Sequence, residues 1–256
     1  MKTDLIITTY NWPEALDLVL QSVEHQTIQP GQVIVVDDGS RAITRATIKK
    51  WSTRLNIVYV WQRDKGFRAA RSRNLGILRL LSPHVVFIDG DCLLPPGFIE
   101  SHRQLIQPKK IVAGGRRLST YSETNRLIDC GKISQQSDWL FAGIKFWNLK
   151  LGFLRDIWPK KWSLVRTCNV AFWSDDIRQV GGFNEDFEGW GLEDSEIVVR
   201  MLGSGCRIRL ARYAACVRHL YHAAESRVCL GSNHVLFNRV MRNGFNDTHK
   251  TCLGEK

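Results

Sequence analysis

Two acidic turns at the ends of apolar runs hold the first residues able to do chemistry. Val33-Ile34-Val35-Val36 ends in Asp37-Asp38-Gly39-Ser40, and Val85-Val86-Phe87-Ile88 ends in Asp89-Gly90-Asp91. An unbroken β-branched run reads as a strand buried on both faces of a parallel sheet. Ligands of open α/β sheets bind beyond the carboxyl ends of such strands. At least three carboxylates are therefore expected in one crevice, an arrangement suited to a cation and a hydroxyl-rich ligand. Carboxylate oxygens are hard ligands that suit Mg²⁺ or Mn²⁺ with a bound diphosphate. An isolated Asp-x-Asp is usually a solvated turn; the strand context and the Asp37-Asp38 pair weigh against that here.

Three further groups could complete a site. Lys65-Gly66-Phe67-Arg68-Ala69-Ala70-Arg71 opens a helix, where cations and free backbone N–H groups suit phosphate. Arg71 is the preferred functional arginine, whereas Arg68 and Arg73 read equally well as a basic solvent face. Gly181-Gly182-Phe183-Asn184-Glu185-Asp186-Phe187 leads into Gly189-Trp190-Gly191-Leu192-Glu193-Asp194. A carboxylate beside an exposed tryptophan is what sugar recognition and deprotonation require, although Glu193-Asp194 alone would read as an acidic first turn. His219 and His222 follow the last expected strand. His219 is a candidate third metal ligand, with His222 in reserve, and a purely structural histidine is the alternative.

The elements that position these residues alternate in the first half. Strands are expected at Leu5 to Thr9, Gln32 to Val36, Ile57 to Trp61 and Val85 to Ile88. Helices are expected after Asn11-Trp12-Pro13, with Asn11 as a cap, near Arg41 to Trp51, and along a face formed by Ala70, Asn74, Ile77, Leu78 and Leu81. This alternation means a parallel sheet with right-handed crossovers. The second half is irregular. A strand at Ile111 to Ala113 should end at Gly114-Gly115, a helix should span Leu192 to Leu202, and two short strands should lie at Arg207 to Leu210 and Ala214 to Val217. One domain is expected, with residues 1–116 as the nucleotide-binding half and 117–256 as the acceptor-binding and catalytic half.

The net charge of +11 on 256 residues is dispersed rather than blocked, which admits an anionic membrane surface or a phosphorylated ligand. A basic polyanion-binding module would leave Asp37, Asp38, Asp89 and Asp91 repelling the ligand, so no nucleic-acid partner is expected. Seven cysteines without a C-x-x-C read as reduced thiols, and the start Met1-Lys2-Thr3-Asp4 lacks a signal-peptide form, so a cytoplasmic protein is expected. The segment Asp138 to Arg166 mixes Trp139, Trp147, Trp158 and Trp162 with Lys145, Lys160 and Lys161. Aromatic and basic residues together suit the acceptor side and peripheral contact with the cytoplasmic membrane face.

The ordered combination resembles the inverting, nucleotide-sugar-dependent family 2 glycosyltransferases. It is carried by Thr8-Thr9-Tyr10-Asn11, Val36-Asp37-Asp38-Gly39-Ser40, Arg71-Ser72-Arg73-Asn74-Leu75-Gly76, Asp89-Gly90-Asp91, and Gly182-Phe183 through Glu193-Asp194. The last block is similar to the C-terminal segment of galactosyltransferases and of the chondroitin polymerase type. The resemblance implies a GT-A fold, with a Rossmann-like, mostly parallel central sheet and helices on both faces. It implies a UDP-sugar donor and, as acceptor, a glycan or lipid-linked glycan of surface polysaccharide or lipopolysaccharide. Thr8, Tyr10, Asn11, Asp38, Arg71, Asp89 and Gly90 would line the nucleotide-sugar site, with Asp89 on the ribose. Asp91 and His219 would hold Mn²⁺ or Mg²⁺, and Asp194 would be the catalytic base. Trp190, Gly191, Glu193 and Asn169 would face the acceptor, Asn169 through the strand Cys168-Asn169-Val170-Ala171-Phe172. A metal-dependent nucleotidyltransferase shares the carboxylates and the cation, but has no need of Gly189-Trp190-Gly191 beside Glu193-Asp194.

Overall fold

The computed structural model describes residues 1–133, 162–243 and 249–254. Most of the aromatic and basic segment, residues 138–161, lies outside them, and with it Lys160 and Lys161.

Apolar runs at period two make the sheet. β1 (Thr3–Thr9), β2 (Val33–Asp37) and β4 (His84–Asp89) are apolar on both faces, because alternate side chains enter different cores. Leu5, Ile7, Val33, Val35, Val86 and Ile88 pack on one side with Leu16, Val19, Leu20 and Val23 of α1 (Pro13–Glu24). Ile6, Ile34, Val36, Val85 and Phe87 pack on the other with Ala70 and Ile77 of α3 (Ala69–Ile77) and Ile197 of α7 (Glu193–Gly203). Burial of each such side chain contributes about 1.5–3 kcal/mol. Apolar positions on both faces explain why these strands lack the usual polar alternation.

The eight strands run in the order β3-β2-β1-β4-β7-β6-β8-β5. β3 is Ile57–Trp61, β5 Cys92–Leu93, β6 Lys110–Leu118, β7 Asn169–Trp173 and β8 Arg207–His219. β3, β2, β1 and β4 are parallel neighbours. β7 is antiparallel to both β4 and β6, whereas β6 and β8 are parallel. The remaining helices are α2 (Ala42–Trp51), α4 (Phe98–Leu105), α5 (Tyr121–Cys130), α6 (Ser174–Gln179) and α8 (Leu230–Asn243). α5 begins with the expected chemistry of a capping box, Thr120 and Glu123 each bonding the other's backbone N–H.

Four sequence expectations change. The third helix stops at Ile77, so Leu78 and Leu81 are exposed rather than on its apolar face. Asn11 does not cap α1 through its side chain. It sits at φ +46°, donates its N–H to Ser40 Oγ and accepts from the Arg41 N–H at 2.9 Å, which ties the β1–α1 turn to the start of α2. Gly114-Gly115 does not end its strand either. β6 runs through both glycines, and the two short strands expected after Cys206 are the single strand β8 with an excursion between them. The register passes from Gly114↔Ala211 to Gly115↔Cys216, so β8 carries the extra residues. A side chain at Gly115 would collide with the Arg212 carbonyl, and one at Gly114 with Asn169. These glycines therefore permit close approach inside the sheet.

Candidate active site

The carboxyl ends of β1, β2 and β4 meet, as the parallel order demands. Thr8 stands level with Asp89, and Gly90 donates its N–H to the Thr8 carbonyl at 2.7 Å. A Cβ at Gly90 would lie 3.0 Å from Thr9 Oγ1, which accounts for a glycine between the two aspartates. The Thr8 hydroxyl is buried without a hydrogen-bond partner. Tyr10, 50% exposed at the rim, donates its hydroxyl to Asp64 at 3.0 Å.

The two aspartates at the end of β2 have different tasks. Asp37 is buried and accepts from the Gly39 and Ser40 N–H groups and from the Tyr59 hydroxyl. It holds the turn and does not line the crevice. Asp38 accepts the Arg68 N–H at 2.6 Å and the Gln62 amide. Its burial pushes the carboxyl above its ordinary range, against those bonds.

The strand pairing at the far edge assembles a cluster that the sequence offered only in pieces. β5 lies antiparallel to the end of β8, with Cys92 opposite His219. This register brings Asp91 to His219 and, past the strand end, to His222. Their Nε2 atoms lie 3.6 and 3.4 Å from the Asp91 carboxylate. One ligand atom from each of the three residues fits within 4.8 Å of the others. His219 Nδ1 faces the Leu220 carbonyl at 2.9 Å and His222 Nδ1 the Ala223 carbonyl at 2.7 Å. A carbonyl only accepts, so each Nδ1 carries a hydrogen, and Nε2 is the ring nitrogen left to serve as a metal ligand. Burial raises the Asp91 carboxyl, and His219 opposes the shift. The donor set, one carboxylate and two imidazoles, fits a divalent cation and suits Mn²⁺ better than Mg²⁺, which prefers oxygen alone.

The other wall is α7 and the turn before it. Gly189 and Gly191 have φ of +69° and +111°, and Leu192, the residue before the helix, has φ +75°. A leucine in the left-handed region costs about 1–2 kcal/mol, held here by the bonds around it. Asn233 of α8 donates to the Glu188 and Gly191 carbonyls, and the Gly189 N–H donates to the Phe67 carbonyl at 2.9 Å. Trp190 is left 40% exposed, with the Arg227 guanidinium 5.4 Å from its ring centroid. Asp194, at the head of α7, has its carboxyl pushed up to about 6, first by burial and then by Glu193.

Two expected site residues are placed elsewhere. Arg71 pairs with Glu185 at 2.9 Å and docks α3 on the turn after Gly182, together with Asn74, which bonds both backbone groups of Phe183. Arg73 is 4% exposed and bridges Asp89 and Glu193. The available signal was periodicity: Ala70, Arg73, Asn74 and Ile77 share the i, i+3, i+4, i+7 face, so two polar residues occupy core positions. Asn169, expected to face the acceptor, is instead 2% exposed. It contacts His102 Nε2 at 2.9 Å and donates to the Gly115 and Ala215 carbonyls at 2.7 and 2.9 Å, on either side of the β6–β8 excursion. Asn169→Ala orphans two buried carbonyls, and we expect it to cost about 2–3 kcal/mol, read as a lower midpoint in urea at unchanged slope.

The sequence profile of glycosyl transferase family 2 matches residues 4–172, and that described as the N-terminal domain of galactosyltransferase matches residues 157–223. Validoxylamine A glucosyltransferase of Streptomyces hygroscopicus subsp. limoneus is 30% identical over 227 residues, 81% of this chain and 49% of that protein. Chondroitin synthase of Escherichia coli is 29% identical over 230 residues, 80% of this chain and 33% of that protein. The chain thus spans half or less of the length of these relatives. Among solved structures, S. aureus TarS 1–349 in complex with UDP matches with a TM-score of 0.69 at 16% identity, covering 95% of this chain and 66% of that one. Mannosyltransferase PcManGT from Pyrobaculum calidifontis, in complex with GDP-Man and Mn²⁺, matches with a TM-score of 0.64 at 18% identity, covering 97% and 66%. The fold is GT-A. The chain belongs to glycosyl transferase family 2.

Proposed function

We propose that this chain transfers a sugar from a nucleotide-sugar, a UDP-sugar in the first instance, to a hydroxyl of a glycan or lipid-linked glycan acceptor, with inversion and with Mn²⁺. The observation that carries the reading is the convergence of Asp91, His219 and His222 just beyond β4, whose last residue Asp89 is joined through Arg73 to Glu193 at the head of the helix that bears Asp194. Asp38 would accept a base N–H, Tyr10 would flank the base, and Asp89 would accept from the ribose. A bound ion would supply Lewis-acid stabilisation of the departing diphosphate. Asp194 takes the proton of the acceptor hydroxyl as that oxygen bonds the anomeric carbon. The bond to the diphosphate oxygen breaks with its electron pair, and one displacement inverts the centre. Trp190 offers an apolar ring face to the acceptor sugar.

Titration calorimetry of UDP and GDP with and without Mn²⁺, followed by a panel of UDP-sugars assayed for sugar release, tests the reading. UDP binding that requires Mn²⁺, and release from one or a few donors, is the expected result. Tight UDP binding indifferent to chelator would overturn the metal assignment, and pyrophosphate release from a nucleoside triphosphate would point to nucleotidyl transfer instead. No helix among the described residues is long and apolar enough to cross a membrane. The proposed contact with the cytoplasmic membrane face rests on the sequence of residues 138–166.

A further inference from the structure

The carboxylates at the head of α7 are neighbours in sequence but not in circumstance. Glu193 accepts from Arg73 Nη1 at 3.0 Å. The same guanidinium reaches Asp89 at 3.4 Å and lies over the Phe183 ring, 5.5 Å from its centroid. It is buried, and its Nε has no partner. A cation at this depth is tolerated only beside anions, and Arg73 has two. Asp194 receives the Ser195 hydroxyl at 3.3 Å and makes no ion pair among the described residues. We propose that Arg73 is a positioning residue that separates the roles of this pair, engaging Glu193 in an ion pair and leaving Asp194 as the carboxylate that exchanges a proton. The inference rests on the reading of Asp194 as the base and adds the reason that Asp194, rather than Glu193, has that role.

The physical argument is competition in a poorly hydrated site. Two adjacent, half-buried carboxylates resist ionising together, and a cation at contact distance favours the charged form of the one it touches. The other then takes up the proton, and environments that push two titrating groups apart assign their roles. The charges that face Asp194 are Glu193 on its own helix, which raises it, and Arg73 of α3 and Arg166 of the turn before β7, which lower it. Arg73 in turn feels Asp89 of β4. An acid near 6 is mostly ionised at neutral pH and still has proton affinity for a hydroxyl that is losing its proton.

Carboxyl ¹³C NMR of the whole chain, labelled at Asp and Glu, reads this without any substrate, because Asp194→Asn assigns the Asp194 resonance by deletion. Wild-type Asp194 should titrate near about 6. In Glu193→Gln the neighbouring anion is gone and the midpoint should fall by about one unit. In Arg73→Gln the cation is gone and it should rise by about one unit or more, while Arg73→Lys, which keeps the charge, should stay within a few tenths of wild type. Midpoints unmoved by both Glu193→Gln and Arg73→Gln would overturn the proposal. If Arg73→Gln does not fold, Glu193→Gln decides alone: a midpoint equal to or above wild type would overturn it. Transfer that survives Asp194→Asn would instead sink the base assignment, an outcome separate from the titration.

Discussion

Asp194→Asn should bind UDP with Mn²⁺ as the wild type does and lose transfer by roughly 10²–10⁴-fold, the range a positioned general base supplies. The amide keeps the shape of the carboxyl and its place at the head of α7, so the fold and the cluster around Asp91 stay intact. Equal loss of donor binding and transfer would move Asp194 to the donor site. The wild type adds a second check. The base must be ionised to act, and its carboxyl is pushed up to about 6. Transfer should therefore be flat above neutrality and decline as pH falls through about 6, approaching tenfold per unit below it. A decline starting only near the ordinary aspartate range, about 4, would contradict the burial argument.

Asp91→Asn should abolish Mn²⁺-dependent UDP binding, and with it transfer, while the protein still folds. The variant keeps two imidazoles but loses the anionic oxygen of the set, and an uncharged amide is a poor ligand for a hard cation. Calorimetry should show UDP affinity in the variant reduced to that of wild type in chelator. His219→Ala and His222→Ala should each weaken Mn²⁺ by about 10–100-fold if both nitrogens bind, the loss found when a ligand or its support is removed. Loss confined to one of them would name the single histidine ligand. Normal metal-dependent binding in Asp91→Asn would remove Asp91 from the cluster.

Much of the N-terminal half was legible because its physics is local. A β-branched run such as Val33–Val36 has few options other than a buried strand, and an acidic turn at its end falls at the sheet's carboxyl edge by topology. Asp38, Asp89 and Asp91 follow from that alone. The C-terminal half was less legible because long-range contacts decide it. Gly114-Gly115 looks like a stop in any local reading, yet the glycines make room for Asn169 and for the β8 backbone. Arg71 and Arg73 are equivalent in composition, and only the docking of α3 sends one to Glu185 and the other between Asp89 and Glu193. Asn169 sits in a strand the resemblance associates with the acceptor, but its amide satisfies a bend in the sheet. Asp37 shows the same limit, since nothing in Asp37-Asp38 itself says which side chain holds the turn and which turns to Gln62 and the Arg68 N–H.

The pairing of β5 with the end of β8 bears on how the molecule assembles. Asp91 and His219 are 128 positions apart in the chain (219 − 91), and they meet only when the last strand docks beside a two-residue one. Contacts of such sequence separation form against a large loop-closure entropy and are slow to arrive. The parallel strands β1 to β4 and the turns carrying Thr8, Asp38 and Asp89 involve shorter closures and can be in place earlier. The cluster of Asp91, His219 and His222 is therefore a late acquisition of the folding chain; under the proposed function, a nascent chain halted before β8 would carry the nucleoside-facing turns without the two histidines proposed to hold the cation.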